Sequence, residues 1–448
     1  MLAAVLAGLA VAAPAPSSVR TLLLPDGAHL EAHAPAPRAP RLRLLPDALQ
    51  TLPLHGPAPW STPDRQLDLV VLSEAYTAGE QARFEADARA FVTHLLSLEP
   101  WSTFPDLLAV RAVFVPSADA VLDDLEGEDL RRTAFECTYG CGLEGVATSR
   151  LVCCDEPTVI EAATRTGEGT DGILVLSADP RFGGSGGATY AVAYTGDDEA
   201  LRVQAHEVSH TLVQLWDEYE LGVAVTPDDL PRSPNCAAAD AALPWHRWLA
   251  AAVDWTAWHA ALDAGDPTAC DGRALAPGEV CAFPGCSFPE LVRPTADACT
   301  MRSLQDRWCP VCQEAIVRRL YRALGEGFVL EVDPDPTRPV VLGDAPTTFT
   351  ATVPHGDLPL AWSWTLDDLP VGTGSSLTLE RGALGGGLLR VEVRDASGFV
   401  RSDPGGVAVR QQTWQVEDPG CTGCATGSGG LGHVLLPLLI LPLRRRRR

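Results

Sequence analysis

A chain of 448 residues is longer than one ordinary domain, so about two or three packed units are expected. An apolar share of 46% is enough to give each unit a core and argues against wholesale disorder. The formal net charge of −24 argues against nucleic acid or an anionic membrane as the main partner, and the absence of Lys together with a single Asn is a bias of coding composition.

Residues 1–13 are an apolar run of Leu, Ala and Val closing on Ala10-Val11-Ala12, so residues 1–15 are expected to be a signal peptide. Pro14 and Pro16 follow at once, which does not suit an ordinary buried helix. Residues 16–65, rich in Pro and Ala, read equally as a small β-structured lead-in, a propeptide or a linker. From Leu67 the pattern becomes α/β. Residues 67–72 are a buried-strand run, and 77–98 a helix with Ala82, Phe84, Ala88, Phe91 and Leu95 as its apolar positions; 107–115 and 172–177 are further strands. Gly183-Gly184-Ser185-Gly186-Gly187 then leads into an alternating segment, 188–195, expected to be the edge strand along which an extended peptide substrate lies. No Lys or Ser/Thr completes a nucleotide-binding loop at these glycines.

The next segment, His206-Glu207-Val208-Ser209-His210, has the HExxH spacing. Residues i and i+4 share one helix face, so His206 and His210 can grip one zinc ion, and Glu207 then lies where it can take and return a proton. Apolar flanks (Leu201, Val203, Leu212, Val213, Leu215) suit a buried helix rather than a polar surface one. Asp217 and Glu218 follow, and either can supply a third ligand. If the helix continued, residue 217 would lie about 10 Å along its axis from His210. The helix is therefore expected to break between Thr211 and Trp216 and fold back. Tyr190, Tyr194 and Tyr219 are open candidates for holding a developing oxyanion.

Downstream stand Leu291-Val292-Arg293-Pro294, Cys299-Thr300-Met301-Arg302 and Trp308-Cys309-Pro310-Val311-Cys312, Met301 being the sole methionine besides Met1. After Phe328 the texture changes to strands at 341–353, 360–366, 376–379 and 388–395 between Gly, Pro and Asp turns, expected to form a small all-β Ig-like or PKD-like sandwich over 328–415. Of Trp362 and Trp364, which alternate on one strand, one is expected between the sheets. Residues 416–448 carry Cys421-Thr422-Gly423-Cys424, a Gly/Ser spacer, an apolar run at 431–443 and five terminal Arg. Thirteen residues at 1.5 Å each span about 20 Å, short of the roughly 30 Å hydrocarbon core, while the Arg end obeys positive-inside logic. The three-part order resembles myxobacterial-type C-terminal sorting signals, which implies attachment to the cell surface or outer membrane with processing of the tail.

Eleven of the thirteen Cys lie between Cys137 and Cys312. In an exported chain that density indicates disulfides. Adjacent Cys153 and Cys154 are expected to take different partners, Cys137 and Cys141, and Cys309 and Cys312 are expected in disulfides rather than in a second zinc site. The odd count leaves one thiol over.

Together Ala75-Tyr76-Thr77, the glycine turn at 183–187, His206-Glu207 through Asp217-Glu218-Tyr219, Arg293-Pro294, Cys299 to Arg302 and Cys309-Pro310-Val311-Cys312 resemble the IgA-peptidase-like zinc metallopeptidases. The chain departs from that pattern at Ser73-Glu74-Ala75, where the family usually shows Gly-Asp-Gly, and at Thr211 to Gln214, where it favours an early Gly. The resemblance implies an α/β (α+β) zincin-like, metzincin-type catalytic domain over 66–327, with Met301 in a tight turn beneath the metal histidines. It also implies one catalytic Zn²⁺ on His206, His210 and, by position, Asp217, with Glu207 as catalytic base. The expected protein is an exported, surface-anchored endopeptidase acting on extracellular proteins or peptides. The rival expectation is an idle zincin-fold adhesin binding through its sandwich; retention of Glu207 favours the enzyme.

Overall fold

The structure, a computed structural model, describes residues 19–23, 29–33, 49–56, 65–124, 131–141, 150–165, 169–220, 233–265, 270, 275–276, 278–325 and 327–420. The expected signal peptide and residues 421–448 of the expected C-terminal sorting segment lie outside the described residues, as does most of 16–65, while residues 416 and 417 close the strand Val409–Glu417. No described helix is long and apolar enough to cross a membrane.

Six strands form the sheet that carries the candidate site, in the spatial order Gly184–Gly186, Ala191–Tyr194, Gly172–Ser177, Leu67–Glu74, Leu108–Phe114 and Gln50–His55. The inner pairs are parallel and the pairs at the two edges antiparallel. Leu67–Glu74 and Gly172–Ser177 are buried at every position. That explains the apolar runs at 69–72 and 173–176 within them, since a strand inside a parallel sheet meets packed elements on both faces. The helix Gln81–Ser97 buries Phe84, Ala88, Phe91, Val92 and Leu95. It is introduced by a capping box, Thr77 N–H donating to Glu80 Oε2 at 2.9 Å.

The expected edge strand is displaced by one position. Ala191–Tyr194 is buried throughout and second in the sheet, while the glycine run itself, Gly184–Gly186, is the edge. Part of that edge is covered: Gly184 N–H donates to the Arg150 carbonyl at 3.1 Å. The reason is local. A Cβ on Gly186 would lie 2.6 Å from the Glu207 carbonyl oxygen and 2.7 Å from His210 Cβ, so only glycine lets this strand pass so close to the HExxH helix.

Beyond the helix Pro310–Ala323, two further sheets face each other. One has three strands, Glu331–Asp333, Thr347–Thr352 and Ser376–Leu379; the other has five, among them Leu360–Leu366, Gly387–Asp395 and Val409–Glu417. Trp364 is fully buried and stacks on Trp414 with ring centroids 5.6 Å apart, and Phe349 meets Trp414 edge-on at 5.5 Å. This β unit is packed against the first one. The Tyr321 hydroxyl donates to Asp395 at 2.8 Å, Phe104 contacts both Tyr321 and Phe399, and buried Glu314 accepts the Arg401 and Ser402 amides at 2.6 and 2.5 Å.

Among the described residues, disulfides join Cys137 to Cys154, Cys141 to Cys153, Cys236 to Cys286 and Cys270 to Cys281. The separate partners expected for Cys153 and Cys154 are present. The disulfides expected for Cys309 and Cys312 are not: with Cys299 they remain buried thiols, three rather than one.

Candidate metal centre

The helix Asp198–Val213 opens on an N-cap in which Asp197 accepts the Ala200 amide at 2.8 Å, with Asp198 and Glu199 in its first turn. It is buried on nearly every side from Val203 to Val213, so its two imidazoles face inward rather than towards solvent. Their Nε2 atoms stand 3.2 Å apart. Each ring is oriented through its other nitrogen: His206 Nδ1 donates to the Thr300 carbonyl at 3.0 Å and His210 Nδ1 to the Leu215 carbonyl at 2.6 Å. Those bonds leave both Nε2 lone pairs directed at one point.

Asp217 reaches the same point. Its Oδ1 lies 2.9 Å from His206 Nε2 and 3.4 Å from His210 Nε2. Donors held tetrahedrally at about 2.0–2.1 Å from zinc stand about 3.3 Å apart, so the three separations fit one such ion. Glu218 points elsewhere, into a cluster of thiols. Glu207 Oε2 is 3.9 Å from His210 Nε2, beside the donors rather than among them. Burial lowers the affinity of both imidazoles for a proton, yet the Asp217 and Glu207 carboxylates outweigh it, raising His206 and pushing His210 up to about 9. Burial raises the Glu207 carboxyl, whereas Asp217, also buried, is held well below the usual range by the two imidazoles. The pocket is built to hold positive charge.

The fold-back that delivers Asp217 occurs at Gln214, which takes the left-handed conformation at φ 60°, ψ 37°. Gln214 N–H donates to the His210 carbonyl at 3.0 Å, the bond of a left-handed helix ending, and Leu215 N–H reaches the Ser209 carbonyl at 3.3 Å. Ala75, the last residue of the other family departure, also has a φ of 60°. Both places where a glycine was expected are thus positive-φ positions filled by a side chain.

The three tyrosines separate. The Tyr190 hydroxyl accepts the Cys154 amide at 2.9 Å, and that of Tyr194 donates to Asp197 at 3.1 Å; neither borders the cleft over the histidines. Tyr219 does. Its ring stacks on His206 at 6.1 Å, and its oxygen accepts from Arg150 Nη2 at 3.1 Å, which leaves its own proton free to donate. The cleft, ≈ 450 Å³, is lined by Arg150, Gly184, His206, Glu207 and Tyr219 together with the turn 302–304. Met301 is fully buried in the short helix Thr300–Ser303, whose backbone holds the centre: Thr300 bonds His206, and the Met301 carbonyl accepts the Glu218 amide at 2.8 Å.

Two residues of this centre were not legible in the motifs. Asn235 Oδ1 accepts the Trp216 amide at 2.9 Å and its Nδ2 donates to the Trp216 carbonyl at 2.8 Å, clamping the segment that carries Asp217. Its one available signal was that it is the only Asn in the chain. Arg150, positioning Tyr219, carried no signal.

The family model described as IgA Peptidase M64 matches residues 59–264. No curated protein is found to match the chain. Among solved structures, the crystal structures of Dscam1 isoforms 1.9 and 4.44, N-terminal four Ig domains, are 20% and 21% identical over 20% of this chain, with a TM-score of 0.15. This chain spans 20% of each of those structures, and so small an overlap bears on neither fold nor function.

Proposed function

We propose that the chain, whose residues 59–264 match the model of the IgA Peptidase M64 family, is a zinc-dependent endopeptidase with a zincin-type centre on His206, His210 and Asp217. The observation that carries this reading is the meeting of the three donor atoms within 3.4 Å of one another, with Glu207 beside them in an open cleft. When bound, zinc lowers the pKa of a water molecule towards neutrality and polarises a carbonyl.

The chain's own residues do the rest. Glu207 accepts a proton from the water whose oxygen bonds to the scissile carbonyl carbon. As the C–N bond breaks, Glu207 returns that proton to the leaving nitrogen. The Tyr219 hydroxyl, fixed by Arg150, donates to the carbonyl oxygen as it gains charge. Thr300 and Leu215 keep the imidazoles in the tautomer that exposes Nε2. A peptide lies in the cleft between the glycine edge and the turn 302–304, since Arg150 covers part of the edge itself. The four disulfides support an exported protein acting on extracellular proteins or peptides. The sequence of 416–448 supports attachment at the cell surface; intact mass of surface material should lack Arg448, and its retention there would contradict tail processing.

The direct test is Glu207→Gln, which keeps the shape and removes the base. Peptide cleavage should fall by about 10²-fold or more with metal content unchanged. Near-normal cleavage by this variant would remove Glu207 from the chemistry, whereas no cleavage by the zinc-loaded parent chain would leave the adhesin reading in its place.

A further inference from the structure

Behind the histidine centre, four buried side chains converge from distant parts of the chain. Glu218, Cys299, Cys309 and Cys312 each offer a ligand atom, and all four atoms lie within 4.8 Å of one another. We propose that these residues form a second, structural zinc site, distinct from the centre on His206, His210 and Asp217.

The separations are those of a coordination tetrahedron. Ligands at about 2.3 Å for sulfur and 2.0 Å for oxygen stand about 3.8 Å apart between sulfurs and about 3.5 Å between sulfur and oxygen. Cys299 Sγ and Cys312 Sγ are 3.7 Å apart, and Glu218 Oε1 is 3.3 Å from Cys312 Sγ and 3.7 Å from Cys309 Sγ. All four residues are 0–1% exposed. Glu218 Oε1 accepts from Asn235 Nδ2 at 3.2 Å, but Oε2 is buried with no hydrogen-bond partner among the described residues. A buried carboxylate with so few partners is costly, and a cation held at Oε1 among the thiols offsets its charge. The remaining details suit thiolate ligands. Cys309 caps the helix Pro310–Ala323 with Pro310 at its first position, Cys312 lies one turn on, and the Cys309 amide donates to Cys299 Sγ at 3.3 Å. The positive end of that helix favours the negative ligand set.

The placement gives the second ion a purpose. Asp217 and Glu218 are neighbours whose side chains face opposite ways, one to the histidines and one to the thiols. Cys299 stands just before Thr300, whose carbonyl orients His206. An ion on the thiols ties the Asp217 segment to the turn 299–303 and so fixes two supports of the first centre.

The test uses the full chain carrying His206→Ala and His210→Ala, loaded with cobalt(II) in place of zinc. The variant should hold one equivalent of metal where the parent holds two, and it should show near-ultraviolet thiolate-to-cobalt charge transfer, which a histidine–carboxylate site does not give. The band should weaken or shift in Cys312→Ser and in Glu218→Gln. Three thiols should react with a thiol reagent only after denaturation with chelator. A double-histidine variant without bound cobalt or the charge-transfer band overturns the proposal, as does a disulfide joining any of Cys299, Cys309 and Cys312 in a non-reducing peptide map. Either result leaves the proteolysis assigned to Glu207 untouched, because the parent chain's cleavage is measured separately.

Discussion

Gln214 shows how a single residue sets the position of Asp217 against the two histidines. The chain must reverse after His210 for Asp217 to return, and it does so through a left-handed residue that has a side chain. That conformation costs a non-glycine residue roughly 1–2 kcal/mol, part of which glycine gives back as unfolded-state entropy. Gln214→Gly is therefore expected to raise the unfolding free energy by about 1 kcal/mol, read as a higher denaturation midpoint with an unchanged slope. A lower midpoint would show that the Gln side chain contributes more than its strain costs. Asp217→Ala should weaken zinc binding at the histidine pair by at least about tenfold in a metal-competition titration. Unchanged affinity would take Asp217 out of the ligand set. The histidine pair was legible because helical spacing is local, and a break before Asp217 was required by length alone. Which tyrosine borders the cleft was not, because it depends on contacts such as that of Tyr219 with Arg150, 69 residues away. The same holds for the thiol cluster: Glu218 and Cys312 are 94 residues apart, and sequence spacing alone favoured disulfides.

Among the elements, the glycine edge and the HExxH helix constrain each other. Strand runs such as Leu67–Glu74 and Gly172–Ser177 could be read directly, because a strand buried on both faces has one-sided chemistry. The edge was placed one strand too late because a glycine run has no side-chain period to reveal it. Gly186→Ala puts a methyl group 2.6–2.7 Å from Glu207 and His210 backbone and side-chain atoms, so strand and helix must separate. Peptide cleavage should fall by about 10²-fold, as expected for a displacement of catalytic groups on the ångström scale, with far-ultraviolet circular dichroism retained. Full activity in this variant would mean that the strand can yield without moving the centre.

At the level of the molecule, the β unit reads in sequence as a separate accessory domain, yet the structure joins it to the first unit through Tyr321, Glu314 and Phe399. Strand texture after Phe328 and the burial of one of Trp362 and Trp364 were legible; the docking was not, since it rests on single contacts between well-separated positions. The shared core predicts one calorimetric unfolding transition for residues 65–420, and Tyr321→Phe should destabilise it by about 1 kcal/mol. Two resolved transitions would make the units independent. The function proposed for the chain depends on the histidine centre being a working peptidase. The most direct measurement is to map the new termini formed when the purified chain is incubated with a mixture of denatured proteins, first as isolated, then after a chelator, then after zinc is restored. The expected result is a set of new termini that disappears with the chelator and returns with zinc. Termini that persist without metal, or none from a chain carrying its full zinc, would contradict the account.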